Sequence, residues 1–160
     1  MSFEAFICYK RNSGEDFAEH LKTGLEELGI HTFLDLKDIP EKFKGTDDWT
    51  STRDKALVES QNIILVITVG FELSAEIKKE LSLARKFLDK KFVYFRHCDL
   101  YPYLKITLEN EELDLGKQQQ IAFTSKYDLL RKAVTVLKDH KIPTTANDRE
   151  LFDKQLEGVL

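Results

Sequence analysis

The chain has 160 residues, 42% of them apolar and 32% charged, a balance that describes one globular domain able to bury a core of its own. Twenty-four Lys and Arg against 28 Asp and Glu give a net charge of -4, and the imbalance is local: residues 1–60 carry 8 basic and 13 acidic side chains, residues 61–160 carry 16 and 15. No basic stripe emerges, which argues against nucleic acid as a partner. Cys8 and Cys98 cannot make a disulfide framework; both sit in apolar runs that read as strands, and the expectation is reduced core thiols of a cytosolic protein. The longest uncharged apolar run, residues 63–71, is too short to cross a bilayer, and Met1-Ser2-Phe3-Glu4 lacks the layout of a signal peptide. The expectation is a cytoplasmic location with no membrane partner.

In chain order, the first signal is Phe3-Glu4-Ala5-Phe6-Ile7-Cys8-Tyr9, an apolar run that stops at Lys10-Arg11-Asn12-Ser13-Gly14 and reads as a buried strand followed by a polar loop. Ser13 with Asp16 forms a capping arrangement, after which Phe17, Leu21, Leu25 and Leu28 recur at helical spacing until Gly29. Residues 30–34 supply a second strand, and a connection that includes a helix favours parallel pairing. Residues 35–48, polar and interrupted by Pro40 and Gly45, make a loop of unusual length, and such loops tend to carry function. Trp49, Arg53, Ala56, Leu57 and Ser60 continue as a second helix. Residues 62–68 (NIILVIT) are apolar on both faces, which fits the centre of a parallel sheet.

Ser74 opens a third helix reaching about Leu88, residues 92–95 form a fourth strand and residues 121–123 a fifth. Between the last two, residues 99–120 are polar and mixed, with Glu109, Glu111, Glu112 and Asp114 in an acidic patch, and receive no assignment. Ser125 and Asp128 again cap a helix, carried by Leu130, Ala133, Val134 and Leu137. From Ile142 onward the chain is either a short docked helix using Leu151, Leu156 and Leu160 or a frayed end. Strands alternating with helices predict an α/β three-layer sandwich around a central, mostly parallel five-stranded sheet, with ligand sites at the carboxyl ends of the strands.

Several familiar sites are missing from the sequence. There is no dinucleotide glycine fingerprint, no phosphate loop and no GxSxG nucleophile, and the histidines at 20, 31, 97 and 140 show no ligand spacing. His97-Cys98-Asp99 contains metal-capable atoms, but adjacent residues on a strand point to opposite faces, so no metal site is expected. What remains is a glutamate in an odd place. With Ile77 as the zero of a helical wheel at roughly 100° per residue, Leu81, Ala84 and Leu88 fall within about 40° of it and Glu80 lies near -60°, inside the apolar stripe. A carboxylate there is either desolvated and facing a cleft, or an edge glutamate paired with a lysine or arginine. Glu76 and Lys79 beside it have ordinary solvated-face explanations. Lys10 and Arg11, at the carboxyl end of the first strand and beside the Ser13-Gly14 turn, form either a solvated loop or a grip for a diphosphate. Trp49 either stacks on a base or packs in the core.

In this order and spacing the pieces resemble a Toll/interleukin-1 receptor (TIR) domain over roughly residues 3–137. Phe6-Ile7-Cys8-Tyr9-Lys10-Arg11-Asn12-Ser13-Gly14 resembles the family's opening box, with Cys8 where serine is usual. Phe33-Leu34-Asp35, Asp38-Ile39-Pro40 and Gly45 are similar to the second strand and its long BB loop. Ala56-Leu57 with Ser60 is similar to the helix that follows, and Ser74 with Glu80-Leu81 to the third helix, where Glu76 stands at a position often held by tryptophan.

The resemblance implies a flavodoxin-like sandwich, a TIR domain over residues 1–140 and a tail or short docked helix over 141–160. It implies cleavage of NAD+ as substrate to nicotinamide and ADP-ribose or a cyclic isomer, without a cofactor, in immune, antiphage or cell-death signalling. Glu80 is then the catalytic residue, and Lys10, Arg11, Ser13, Asp35, Trp49 and Ser74 contact substrate. Self-association with other TIR domains is implied, the family generally completing its site across a neighbouring protomer. The alternative is a non-catalytic TIR–TIR interaction module using the BB loop, with Pro40 and Phe43 as its contacts. A third reading, a nucleoside deoxyribosyltransferase-like enzyme with a nucleophilic glutamate, gives Lys10 and Arg11 no phosphate to hold.

Overall fold

The computed structural model of the chain describes residues 2–138. Among these, the elements run β1 (Ala5–Tyr9), α1 (Glu15–Glu27), β2 (Thr32–Phe33), the single turn α2 (Asp35–Asp38), α3 (Asp47–Glu59), β3 (Asn62–Ile67), α4 (Ala75–Ala84), β4 (Lys91–His97), β5 (Lys105–Thr107), β6 (Glu112–Asp114), β7 (Gln120–Phe123) and α5 (Lys126–Leu137). Five strands form one sheet in the order β2-β1-β3-β4-β7, and every neighbouring pair is parallel. The sheet is the middle layer of the expected flavodoxin-like sandwich. Within β1, Phe6 and Cys8 join the layer of α3 and α4, while Ala5, Ile7 and Tyr9 join that of α1 and α5. In β3, Ile63, Leu65 and Ile67 face the first layer and Ile64 and Val66 the second. The period of two therefore survives as a choice of layer, although both strands read as unbroken apolar runs.

Local chemistry sets most helix starts. Thr46, Ser74 and Ser125 each accept a hydrogen bond from the backbone N–H three residues on, at Trp49, Ile77 and Asp128. The capping arrangement expected at Ser13 does not form: Gly14 is the cap residue of α1 and carries no side-chain bond. A tertiary partner wins the hydroxyl instead, since Ser13 Oγ lies 2.8 Å from Thr68 Oγ1 and donates to the Val69 carbonyl at 2.9 Å. That tie brings the end of β1 close to the end of β3. A Cβ on Gly14 would stand 3.0 Å from the Lys10 carbonyl and 3.1 Å from Thr68 Oγ1, so the turn has little room for a side chain.

Three expectations about elements need correction. Residues 35–48 are not one long loop: α2 occupies the first turn, Glu41–Phe43 form a 3-10 turn, and α3 begins at Asp47. Proline explains the break, because Ile39 must be extended before Pro40 (φ -117°, ψ 125°). The third helix ends at Ala84 rather than near Leu88, closing through Lys86 N–H to Leu83 and Phe87 N–H to Ala84, and Leu88 is fully exposed. The unassigned residues 99–120 hold an antiparallel hairpin, β5 with β6, closed by a Leu108 N–H to Glu111 carbonyl bond of 2.7 Å. It takes the place of a crossover helix between β4 and β7, burying Ile106, Leu108, Leu113 and Leu115 in the α3–α4 layer. Of the two expected core thiols only Cys8 is buried; Cys98 falls just past the end of β4, where the chain turns, and is exposed. The expected C-terminal tail lies outside the described residues.

Candidate functional site

The strand order turns at β1: β2 lies on one side of it and β3 on the other. Helices leaving the carboxyl ends of such a pair diverge to opposite faces and leave a crevice. Here it is a cleft of about 390 Å³. Its floor and one wall come from Tyr9, Lys10 and Arg11 at the end of β1 and Asp35 just past β2. Lys44, Gly45, Trp49 and Thr50 close a second side, and Ser74, Glu76, Lys79 and Glu80 of α4 the third.

Glu80 is buried, 6% exposed, at the wall of this cleft. Its helix packs with Ile77, Leu81 and Ala84 on the core, which is why a residue inside that stripe is carried inward. Burial pushes its carboxyl up to about 8, opposed first by Arg53 and also by the Cys8 thiol that hydrogen-bonds it, while Asp35 and Glu76 push the same way as burial. Cys8 stands beneath it on β1 and is held protonated, chiefly by burial and then by the neighbouring Glu80 charge. Arg53 on α3 is 4% exposed; its Nε and Nη2 donate to Asp54 Oδ1 and its Nη1 to Glu76 Oε2.

Asp35 organises the opposite side. It accepts from the Tyr9 hydroxyl at 2.6 Å, from Arg11 Nη2 at 3.3 Å and from the Leu36 N–H at 2.8 Å. Burial and that carboxylate hold the Tyr9 phenol protonated far above its ordinary range. The Arg11 guanidinium also lies 5.3 Å from the Trp49 ring centroid, stacking the cation on the indole. Charge is mixed around the cleft: Lys10 and Arg11 stand with Asp35 on the first side, Lys44 on the second, and Lys79 with Glu76 and Glu80 on the third.

Of the residues singled out in the sequence, Glu80, Lys10, Arg11, Asp35, Trp49 and Ser74 line one cleft. Ser13 does not; its hydroxyl serves the β1–β3 tie. Trp49 is 6% exposed, so it is both core residue and wall. Ser74 lines the cleft while its hydroxyl caps α4. Sequence reasoning missed Tyr9, Lys44 and Thr50; Glu76 and Lys79 border the cleft but remain solvent-exposed, as expected. It also passed over Arg53, although an arginine at helical spacing with Trp49, Ala56 and Leu57 is the same signal that marked Glu80. The objection to His97-Cys98-Asp99 fails on geometry: β4 ends at His97, a Leu100 N–H to His97 carbonyl bond turns the chain, and the three potential ligand atoms lie within 4.8 Å of one another.

A parallel α/β sandwich with its cleft at this switch point, walled by a buried glutamate, defines a class; comparison with known proteins names the family. The family model described as TIR domain matches residues 5–135, and the chain belongs to that family. Among solved structures it is similar to the TIR domain of the Toll-related receptor TRR-2 from Hydra magnipapillata, at 18% identity and TM-score 0.57, over 86% of this chain and 98% of that one. It is also similar to the TIR domains in the activated Roq1 resistosome directly recognizing the pathogen effector XopQ, at 19% identity and TM-score 0.54, over 99% of this chain and 83% of that one. At such identities the likeness is one of fold. No curated protein matches the chain significantly. No described helix is long and apolar enough to cross a membrane.

Proposed function

We propose that this TIR domain is an NAD+ glycohydrolase in immune or cell-death signalling, with Glu80 as its catalytic residue, acting in assemblies with other TIR domains. The observation that carries the reading is a buried carboxylate opening onto a cleft that Lys10, Arg11 and Lys44 also line. NAD+ carries a pyridinium cation at one end and a diphosphate in the middle. The diphosphate suits Lys10, Arg11 and Lys44, and the nicotinamide riboside suits Glu80.

One carboxylate suffices for such chemistry. Nicotinamide leaves as a neutral amine when the C1′–N1 electron pair returns to the ring, so no general acid is required, unlike an ordinary glycoside with two carboxyls. The ribose becomes oxocarbenium-like, and an ionised Glu80 beside it stabilises that charge and holds the ribose hydroxyls, an effect of up to a few kcal/mol. Attack by water at C1′ followed by loss of a proton gives ADP-ribose; attack by an adenine nitrogen or a ribose hydroxyl gives a cyclic isomer.

The test is nicotinamide release from NAD+ by wild type, Glu80→Gln and Glu80→Ala, at high protein concentration or on a surface that promotes assembly. Loss of about two to three orders of magnitude in both variants is expected. Undiminished turnover in them would remove Glu80 from the mechanism. Silence from assembled wild type, with partner binding that depends on Pro40 and Phe43, would give the domain to the interaction reading instead.

A further inference from the structure

The end of β4 carries a second cluster of reactive groups, none of which lines the cleft. His97, Cys98 and Asp99 are consecutive, and the chain turns on them: the Leu100 N–H bonds the His97 carbonyl at 3.0 Å, and Arg96 Nη1 reaches the Leu100 carbonyl at 2.5 Å. The Cys98 N–H bonds the Phe123 carbonyl at 3.0 Å, which pins the turn to the end of β7. Past the strand end the side chains no longer alternate between faces, and one potential ligand atom from each residue lies within 4.8 Å of the others. The Asp99 carboxylate stands between the other two groups, with Oδ2 3.6 Å from His97 Nδ1 and Oδ1 accepting from the Cys98 thiol at 3.8 Å. The Asp99 N–H donates to His97 Nδ1 at 3.2 Å, so the lone pair of that nitrogen faces the turn. Phe17 of α1 and Phe123 of β7 hold the imidazole in place, their ring centroids 5.6 and 5.5 Å from its own.

We infer that this turn is a binding site for a divalent transition-metal ion of the zinc type, held by His97 Nδ1, Cys98 Sγ and an Asp99 carboxylate oxygen, with a fourth position open to water. The site goes beyond the glycohydrolase reading and does not depend on it. A tetrahedral ion with bonds of about 2.0–2.3 Å needs ligand atoms roughly 3.3–3.8 Å apart. Both spacings measured to the Asp99 carboxylate, 3.6 and 3.8 Å, fall in that range before any ion is bound. Cys98 and Asp99 are exposed, which gives the ion an entry path and lets side-chain rotation complete the set around the fixed imidazole. On binding, the Cys98 S–H bond breaks, its proton leaves to solvent and the thiolate bonds the metal. The Asp99 N–H gives up Nδ1 and turns to water. One nitrogen, one sulfur and one oxygen donor suit Zn2+ and its neighbours in the transition series and select against Mg2+ and Ca2+, which take oxygen ligands.

The experiment titrates the reduced full chain with Co2+, which adopts the geometry of zinc and reports it by spectrum. One equivalent gives the visible bands of a tetrahedral ion together with an ultraviolet thiolate-to-cobalt charge-transfer band, and Zn2+ displaces both. Cys98→Ser abolishes the charge-transfer band. Asp99→Asn and His97→Gln each weaken cobalt binding by about tenfold or more, since losing a ligand costs at least what losing its outer-shell partner does. Cys98 and Asp99 are exposed, so their substitutions leave the fold intact, and circular dichroism verifies it. In the second readout, iodoacetamide alkylation of Cys98, followed by mass spectrometry, slows by about tenfold or more with one equivalent of Zn2+ and is indifferent to excess Mg2+, because only the free thiolate attacks. Buried Cys8 is the internal reference. A charge-transfer band retained in Cys98→Ser, a cobalt affinity unchanged in Asp99→Asn, a stoichiometry of two chains per ion, or alkylation indifferent to Zn2+ overturns the proposal.

Discussion

Replacing Glu80 by glutamine tests the electrostatics of the cleft without relying on any substrate. The folded protein holds the Glu80 proton at about 8 against an ordinary 4.5. A gap of roughly 3.5 units corresponds to about 5 kcal/mol. Its sign follows from which state binds the proton more tightly. Because the folded value is the raised one, the contribution is fully present below about pH 4.5 and is lost as pH rises through about 8. The glutamine variant has no proton to lose there, and its amide adds an offset that does not vary with pH. Wild type should therefore lose about 3–4 kcal/mol relative to Glu80→Gln between pH 5 and pH 8, on the same linkage. Urea denaturation followed by Trp49 fluorescence at pH 5, 6, 7 and 8 measures that difference, and all other titrating groups cancel in the comparison. A stability gap that stays constant over this range would refute the assignment of a perturbed carboxyl.

Two further substitutions probe the other walls and the layers behind them. Asp35→Asn removes the acceptor shared by Tyr9 and Arg11 and should cost about 1–2 kcal/mol in urea denaturation. By deleting one of the charges that raises Glu80, it should also move the acid limb of NAD+ cleavage to lower pH. Gly24→Ala places a Cβ 2.4 Å from Leu130 Cδ2 where α1 meets α5, and overpacking of about 1–3 kcal/mol less a gain in helix propensity should lower Tm by about 3–6 °C.

What could be read from the sequence follows from where each residue's decisive partner lies. β1 and β3 are visible as apolar runs because burial on both faces leaves no position for a polar residue. Glu80 is visible because a wheel needs only its own helix. The β5–β6 hairpin escaped because each strand is three residues long, and its buried Ile106 and Leu113 alternate with charged neighbours that resemble loop. Ser13 has the spacing of a cap, but Thr68 and Val69, distant in sequence, compete for its hydroxyl and win. The same limit hides the Arg53–Glu76 pair: each residue is ordinary on its own helix, and the contact exists only once α3 and α4 are side by side.

The three carboxylates of the cleft differ in what neutralises them. Asp35 is matched by Arg11 and Tyr9, and Glu76 by Arg53, whereas Glu80 in the free protein is matched largely by its own proton. A ligand that places a positive charge beside Glu80 supplies the missing counter-ion and should drive that proton off. With a midpoint of about 8, Glu80 is roughly nine-tenths protonated at pH 7, so binding of a cationic ring should release close to one proton, by the same titration arithmetic. Calorimetry at pH 7 in two buffers of different ionisation enthalpy counts it, using a non-hydrolysable carbocyclic NAD+ analogue that keeps the pyridinium. The reduced dinucleotide, whose nicotinamide ring is neutral, is the comparison: it should bind without that release. Equal proton release by both ligands, or none with the pyridinium bound, would mean that the positive charge settles elsewhere and that Glu80 does not face the bond to be broken.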